Sequence, residues 1–440
     1  MTGIPKSLAL LATLLVMAVC SADGDEPLRF NAEDHGEPGN TAPVMQPWRT
    51  VTLDPTHGGM WVVTGDVDGD GAVDVISARN VNEGDVHYTS TAVAQRLDGS
   101  VIWRWGNPDI GRREWHHDVA LQVTDWDDDG ANEIVLLTEG FLVELNGATG
   151  AEVRRFPIPA EATDCLVFCH ISGGEHADVL VKDRYRNVYA YDWSGRMLWT
   201  VKEPGGYRTS HQPRPYDLDG DGLDEIMAGY AMLDHDGSIM WVLSSDTVEL
   251  SKGHLDLVRP MRTGTSPRDW VFVGTYCGAG CLACFDGAGK TMWEVPGFHY
   301  ESVNVGRVFP DAPAPQIAVD IDHVPRGESP VELFDSDGNR LARLTSDYCR
   351  HHKLFDVDGD GLDELVLANA RGVFDNTGKR ILTLACDSPG VAMQPGDMDG
   401  DGRTDIGIVT DTSFHIFRFP DGPRVKPGSP SGCGVNFSLY

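Results

Sequence analysis

Short apolar, β-rich runs separated by acidic turns recur along the chain. Residues 60–64 form one such run and residues 73–77 the next, and runs of this length and composition predict strands rather than helices. Between them lies a nine-residue loop with carboxylates at positions 1, 3, 5 and 9 and glycine at position 6. The loop occurs five times: Asp66, Asp68, Asp70 and Asp74; Asp125, Asp127, Asp129 and Glu133; Asp217, Asp219, Asp221 and Glu225; Asp356, Asp358, Asp360 and Glu364; Asp397, Asp399, Asp401 and Asp405. Alternate carboxylates in a tight glycine turn converge their oxygens on one hard cation, so calcium is expected in each loop.

A turn and a further strand, often carrying a tryptophan, follow each loop at a distance: Leu97-Asp98-Gly99 leads to Trp103, Ser194-Gly195 to Trp199, Asp236-Gly237 to Trp241 and Asp286-Gly287 to Trp293. That makes four strands per unit. Three more units keep the frame without the ligands, with loops starting near His170, Met261 and Arg307. Four short strands repeated at this spacing predict an all-β fold, a single β-propeller of about eight blades, with seven also open. The last unit is short of a strand, which residues 48–53 can supply; closure across the termini leaves no exposed sheet edge.

The ends of the chain read differently. Lys6 precedes an apolar run over residues 8–19 that is too short to span a bilayer, which predicts a signal peptide over residues 1–22 and a secreted or periplasmic protein. Residues 23–46 are polar and rich in Gly, Pro and acids and predict a flexible tail; residues 47–420 are expected to form the propeller, and 421–440 a C-terminal tail. No later segment could cross a membrane, and a monomer is expected. The net charge of −32 excludes nucleic acid as a partner, since phosphate binding needs a basic footprint. Apart from Cys20 there are eight cysteines, which in an oxidising compartment permits disulfides.

In a four-stranded meander the acidic loops and the last turn of each blade decorate one face of the disc, where the ions would act as structural staples. The opposite face collects the unusual residues. Just before the inner strands lie His116 and His117, Tyr207, Arg208 and His211, Lys252 and His254, and Arg350, His351 and His352; at the ends of the second strands lie Lys182, Arg184, Tyr185, Tyr230 and Arg371. Cations gathered around one mouth of an acidic disc suit an anionic ligand through their local field. A lone His or Tyr at a strand end is more often a capping hydrogen-bond partner, so the cluster carries the inference and no single member does.

With its acidic loops, the segment His116-His117-Asp118-Val119 and the segment from Gly206 to Pro215, GYRTSHQPRP, the chain resembles the β-propeller polysaccharide lyases, especially the ulvan lyases and more distantly the rhamnogalacturonan lyases. The resemblance covers roughly residues 47–420, and acidic loops of this type also occur in integrin-like propellers with FG-GAP repeats. It implies β-elimination on an acidic polysaccharide containing uronic acid. Arg208 would neutralise the carboxylate, His117 would act as base and Tyr185 as acid, with His254 and Tyr230 as substitutes. His116, Lys182, Arg184, Tyr207, Arg350 and His351 would bind substrate. The resemblance also implies a structural zinc near the channel, held by Cys277, Cys281 or Cys284 with His211 and His352; a disulfide among those cysteines is the rival. A non-catalytic propeller that binds glycans or proteins through the same face is the alternative function.

Overall fold

The computed structural model describes residues 27–36, 41–114, 121–251, 253–278, 280–325 and 327–425. Eight antiparallel sheets of four strands each surround an axis. The inner strands, in chain order, are Trp61–Gly65, Leu121–Thr124, Cys165–Cys169, Thr209–Tyr216, Leu255–Arg262, Tyr300–Gly306, His352–Phe355 and Ala392–Gly396, and they define blades 1 to 8. The last blade has only three strands of its own and is completed by Arg49–Thr52, which pairs antiparallel with Ser413–Phe417, Thr50 opposite His415. Closure by the N-terminal strand is thus as the repeat count requires.

The stretch expected as a flexible tail is partly ordered. Phe30–Glu33 runs parallel to Arg340–Ser346 at the outer edge of blade 6, and Val44–Met45 runs parallel to Arg380–Leu384 on blade 7. Asp34 then accepts a two-pronged bond from Arg380, at 2.7 and 2.9 Å. Two otherwise open sheet edges are covered in this way, which removes templates for unwanted pairing.

Each acidic loop joins an inner strand to the second strand, and its own carboxylates fold it. In four of the five loops the first aspartate accepts from the backbone N–H groups of the fourth and sixth residues, as Asp66 does from Gly69 at 2.8 Å and Gly71 at 2.9 Å; Asp125 instead takes the fifth and sixth, Asp129 and Gly130, each at 3.0 Å. The ninth carboxylate accepts from the N–H of the second residue: Val67 to Asp74 at 3.1 Å, Trp126 to Glu133 at 2.8 Å, Leu218 to Glu225 at 2.7 Å. In blade 6, which lacks the ligand set, the loop is one residue longer and Gln316 stands in the equivalent place; its amide oxygen takes the N–H of Val308 at 2.7 Å and that of Phe309 at 3.1 Å. The ninth side chain therefore has a backbone duty that needs no charge.

The repeated turn and tryptophan belong to a latch between neighbouring blades. Trp103 Nε1 of blade 1 donates to Gly147 O of blade 2 at 2.6 Å, Trp199 to His235 O at 2.9 Å, Trp241 to Gly287 O at 3.0 Å and Trp293 to Ser336 O at 3.0 Å. The ring lies flat against a turn glycine of the next blade: a Cβ on Gly237, where φ is 84°, would stand 2.9 Å from the Trp199 ring. Glycine there satisfies both the left-handed backbone and the close approach. Blade 6 has no tryptophan on its outer strand, and Phe30 from the added strand fills the place against Gly378.

Candidate functional site

The inner strands of blades 4, 5 and 6 are bulged near the face opposite the acidic loops. Thr209 pairs with Gly229 but Arg214 with Met227, leaving residues 210–213 partly outside the ladder. Between Leu255 and Leu257 the extra residue is Asp256, and between Tyr300 and Val303 the register slips past Glu301 and Ser302. Bulges re-aim side chains. Here they bring His211, Asp256 and Glu301, each from a different blade, into one buried cluster at the mouth of the axial channel.

Asp256 sits at the centre. Its Oδ1 lies 2.9 Å from His254 Nε2 and 3.6 Å from His211 Nε2, and its Oδ2 lies 3.7 Å from His299 Nε2. The two imidazoles of His211 and His254 approach to 3.1 Å. His299 Nε2 is held by Glu301 at 2.8 Å, Glu301 is paired with Arg350, and Arg350 also faces Asp322 at 3.8 Å. On its other side His299 turns Nδ1 to Cys277 Sγ at 3.9 Å. Tyr185 covers the cluster, its ring 4.6 Å from that of His254, and the guanidinium of Arg208 lies over Tyr185 at 5.3 Å.

Burial and charge set the protonation of these groups. Burial pushes Asp256 well above the usual carboxylate range, and the neighbouring Glu301 adds to it. Burial acts the same way on Glu301, but Arg350 and His299 outweigh it and hold the acid at about 2. His254 is kept below its ordinary value by burial, with His211 adding to the shift. Cys277 would be raised by burial, yet His254 and His299 bring the thiol down to about 7. A thiol so depressed is a ready metal ligand. His211, His254 and Asp256 form one group of donor atoms within 4.8 Å of each other, and Asp256, Cys277 and His299 form a second.

Several residues expected at the mouth lie elsewhere. Lys182 is fully buried, its Nζ 2.6 Å from Asp164 Oδ2, in a network with His87 from the long hairpin of blade 1 at 2.7 Å; a side chain sealed in this way does not reach a ligand. Tyr230 is also fully buried, and its hydroxyl donates to His254 O at 3.0 Å, so it supports the site from beneath. His352 places Nδ1 at 3.0 Å from Cys349 O and Nε2 at 3.2 Å from Ala318 O. Cys281 and Cys284 are buried in the sheet, against Leu282 O and Met292 Sδ. The zinc set expected from His352, Cys281 and Cys284 therefore does not assemble, and the seven described cysteines are free thiols.

Arg184 lies over the Tyr185 ring at 5.1 Å and 3.5 Å from Asp164. Tyr207 donates to Glu249 Oε1 at 2.6 Å, Arg350 is committed to Glu301, and His351 is buried. Arg208 is exposed, and among the described residues no carboxylate pairs with it. His116 and His117, the signal peptide and the last residues of the C-terminal tail lie outside the described residues. Asp256, His299 and Glu301 were not anticipated. His299 stands immediately before an inner strand, as His254 does, so the offset that selects one selects the other.

No family model matches the chain. Over 347 residues it is 25% identical to the rhamnogalacturonan exolyase YesX of Bacillus subtilis, covering 58% of this chain and 55% of that protein. The match to the endolyase YesW of the same organism is 25% over 294 residues, 49% of this chain and 46% of the other. Its curated relatives are rhamnogalacturonan lyases. The chain spans about half the length of these relatives. Among solved structures, the Bacillus licheniformis rhamnogalacturonan lyase PL11 superposes with a TM-score of 0.62 at 20% identity, covering 85% of this chain and 76% of the other. The Vibrio cholerae biofilm matrix protein Bap1 shares the fold at a TM-score of 0.54 and 12% identity, with 92% of each chain covered. The likeness thus falls on the rhamnogalacturonan side of the resemblance. No helix among the described residues is long and apolar enough to cross a membrane.

Proposed function

We propose that the protein is an exported polysaccharide lyase that cleaves uronic-acid-containing chains of rhamnogalacturonan type by β-elimination. The observation that carries this reading is Arg208, an exposed guanidinium over Tyr185 with no carboxylate of the described residues to neutralise it. A bidentate guanidinium can hold the uronate carboxylate as it takes on enolate character. The carbon-5 proton then passes to a base, the carbon 4–oxygen bond breaks, its electron pair leaves with the oxygen, and a carbon 4–carbon 5 double bond remains. In this reading Tyr185 returns a proton to the leaving oxygen and His117 is the base. The curated relatives support the class of reaction.

The donor set behind Tyr185 fits zinc. His254 Nδ1 and Asp256 Oδ2 are buried without a hydrogen-bond partner, a costly state that a metal would relieve. Asp256, Cys277 and His299 offer donor atoms within 4.8 Å of one another, three of the four that zinc takes, and Glu301 on the far nitrogen of His299 is the outer partner that metal-bound imidazoles usually have. A bound zinc would supply fixed positive charge that keeps Cys277 a thiolate. The chain's own part is to hold His254 rigid beneath Tyr185. The five acidic loops are the calcium sites of the same reading.

Incubating the full chain with rhamnogalacturonan, polygalacturonate and ulvan, while following far-ultraviolet absorbance of the unsaturated uronate, tests the function. Product from a uronate polymer is expected; absence of product from all three, with retention of one of them on the immobilised protein, would transfer the reading to a glycan-binding propeller. Metal analysis of protein purified without added zinc tests the second site, with near-stoichiometric zinc expected and its loss in Cys277→Ser.

A further inference from the structure

Beside Arg208 the chain encloses a cavity of about 430 Å³, within the size range of small-ligand sites. One wall is the connection from blade 3 to blade 4, with Glu203, Tyr207 and Arg208; the other is Glu249, on the short helix Asp246–Ser251 that leads from blade 4 to blade 5. The connection is held in a strained shape. Glu203 takes left-handed angles, φ 45° and ψ 66°, and strain of this kind in a residue other than glycine gathers at binding sites. Backbone bonds fix it there: the Glu203 N–H donates to Arg186 O at 2.6 Å, and the Thr209 N–H donates to Tyr185 O at 3.0 Å. The cavity is thus anchored to the turn that carries Tyr185.

The charges of the lining oppose one another. Arg208 is its cation and Glu203 and Glu249 are its acids, and all three are exposed. Glu249 accepts from the Tyr207 hydroxyl at 2.6 Å and raises that phenol above its ordinary value, so Tyr207 stays protonated. The Tyr207 ring is fixed edge-on against Tyr230, 5.4 Å away. Once a uronate carboxylate lies on Arg208, the positive charge is matched, and the cavity presents two carboxylates and an aromatic wall to the neighbouring sugar. Carboxylates accept hydrogen bonds from hydroxyl groups and repel a second anion.

We propose that this cavity is a subsite for an uncharged sugar next to the uronate, with Glu203 and Glu249 as the specificity-determining residues that accept its hydroxyls and turn away a second carboxylate or a sulfate ester. The proposal rests on the lyase reading for the place of the uronate on Arg208. It adds a rule of selection to that reading: the chain that is cut alternates charged with uncharged sugars, while a homopolymer of uronate, or a chain whose other sugar is sulfated, is a poor substrate.

The test compares the full chain with the double variant Glu203→Gln/Glu249→Gln on rhamnogalacturonan, polygalacturonate and ulvan, whose rhamnose is sulfated. The amides keep the shape of the side chains and remove their charge. In the parent, kcat/KM on rhamnogalacturonan should exceed that on either of the other two by about tenfold or more, and in the double variant this ratio should fall about threefold to tenfold, chiefly through a lower KM on the two more highly charged polymers. Sodium chloride at about 0.5 M should narrow the ratio in the parent and leave that of the variant unmoved, since exposed charges are screened. A ratio unchanged by the double substitution would overturn the proposal, as would an equal loss of activity on all three polymers. If the parent forms no product from any of them, the lyase reading falls and retention on the immobilised protein decides the subsite: the parent should retain rhamnogalacturonan in preference to polygalacturonate and the double variant should lose that preference, whereas equal retention of the two polymers by the parent rejects it.

Discussion

Replacing Glu225 by glutamine should change stability with opposite sign depending on calcium. Glu225 does two things at once: it caps the N–H of Leu218, and it stands among Asp219, Asp221 and Asp234, whose charges together with burial raise its carboxyl to about 7. Gln316 in blade 6 shows that an amide performs the first duty alone. An ordinary glutamate ionises near 4.5, so holding this one charged at pH 8 costs the metal-free fold up to about 3 kcal/mol. Solvent on the open side of the loop screens the neighbouring charges and reduces this to about 1–2 kcal/mol. Because the folded-state value is the raised one, the penalty is absent below pH 4.5, grows as pH rises towards 7 and is complete above it. In chelator at pH 8, Glu225→Gln should therefore melt higher than the parent, and at pH 4 the two should coincide. In excess calcium the order should invert, since the amide brings no charge to the cation. Thermal melts of both proteins at the two pH values, with and without calcium, read all of this. A glutamine variant that melts lower than the parent in chelator at pH 8 would refute the division between cap and ligand.

Three further outcomes follow from the geometry. Arg208→Lys should lose turnover nearly as fully as Arg208→Ala, on the order of a hundredfold or more, because an ammonium lacks the planar paired donors; steady-state rates on a uronate polymer check it, and full activity in Arg208→Ala would remove the site. Trp199→Ala should lower stability by about 3 kcal/mol through lost ring packing and one hydrogen bond, and Gly237→Ala should act in the same direction, measured by denaturant unfolding, since its Cβ meets the Trp199 ring at 2.9 Å. Deleting the chain through residue 39 should lower the thermal midpoint, because it removes Phe30 from Gly378 and Asp34 from Arg380; an unchanged midpoint would return that stretch to the status of a loose tail.

The ring, its acidic loops and the strand that closes it were legible because each rests on a repeated local signal. Asp66 to Asp74 and its four counterparts repeat the same spacing, and the strand deficit of the last blade required a donor. The parallel strands over residues 30–33 and 44–45 left no trace, being short and set in a polar stretch whose pairing depends on sheet edges more than 300 residues away. At the mouth, position along the chain found the height of a residue on the blade but not the direction of its side chain. Lys182 and Tyr230 stand at the right height and point into the protein, where Asp164 and the His254 carbonyl receive them. Asp256 was hidden for the opposite reason: a lone acid in an apolar strand reads as unremarkable until a bulge turns it toward three histidines.

The order in which the chain is made runs against the order in which the ring is finished. Residues 30–33, 44–45 and 49–52 leave the ribosome before any of the blades, yet they pair with blades 6, 7 and 8, and the last of these ends at Phe417. Until those blades exist the leading segment has nowhere to go, and blade 8 cannot be completed. The long loop that must close is a late and slow event. A ring built this way stays open until blade 8 is made, so its closure joins the two ends of the repeat array in one late step.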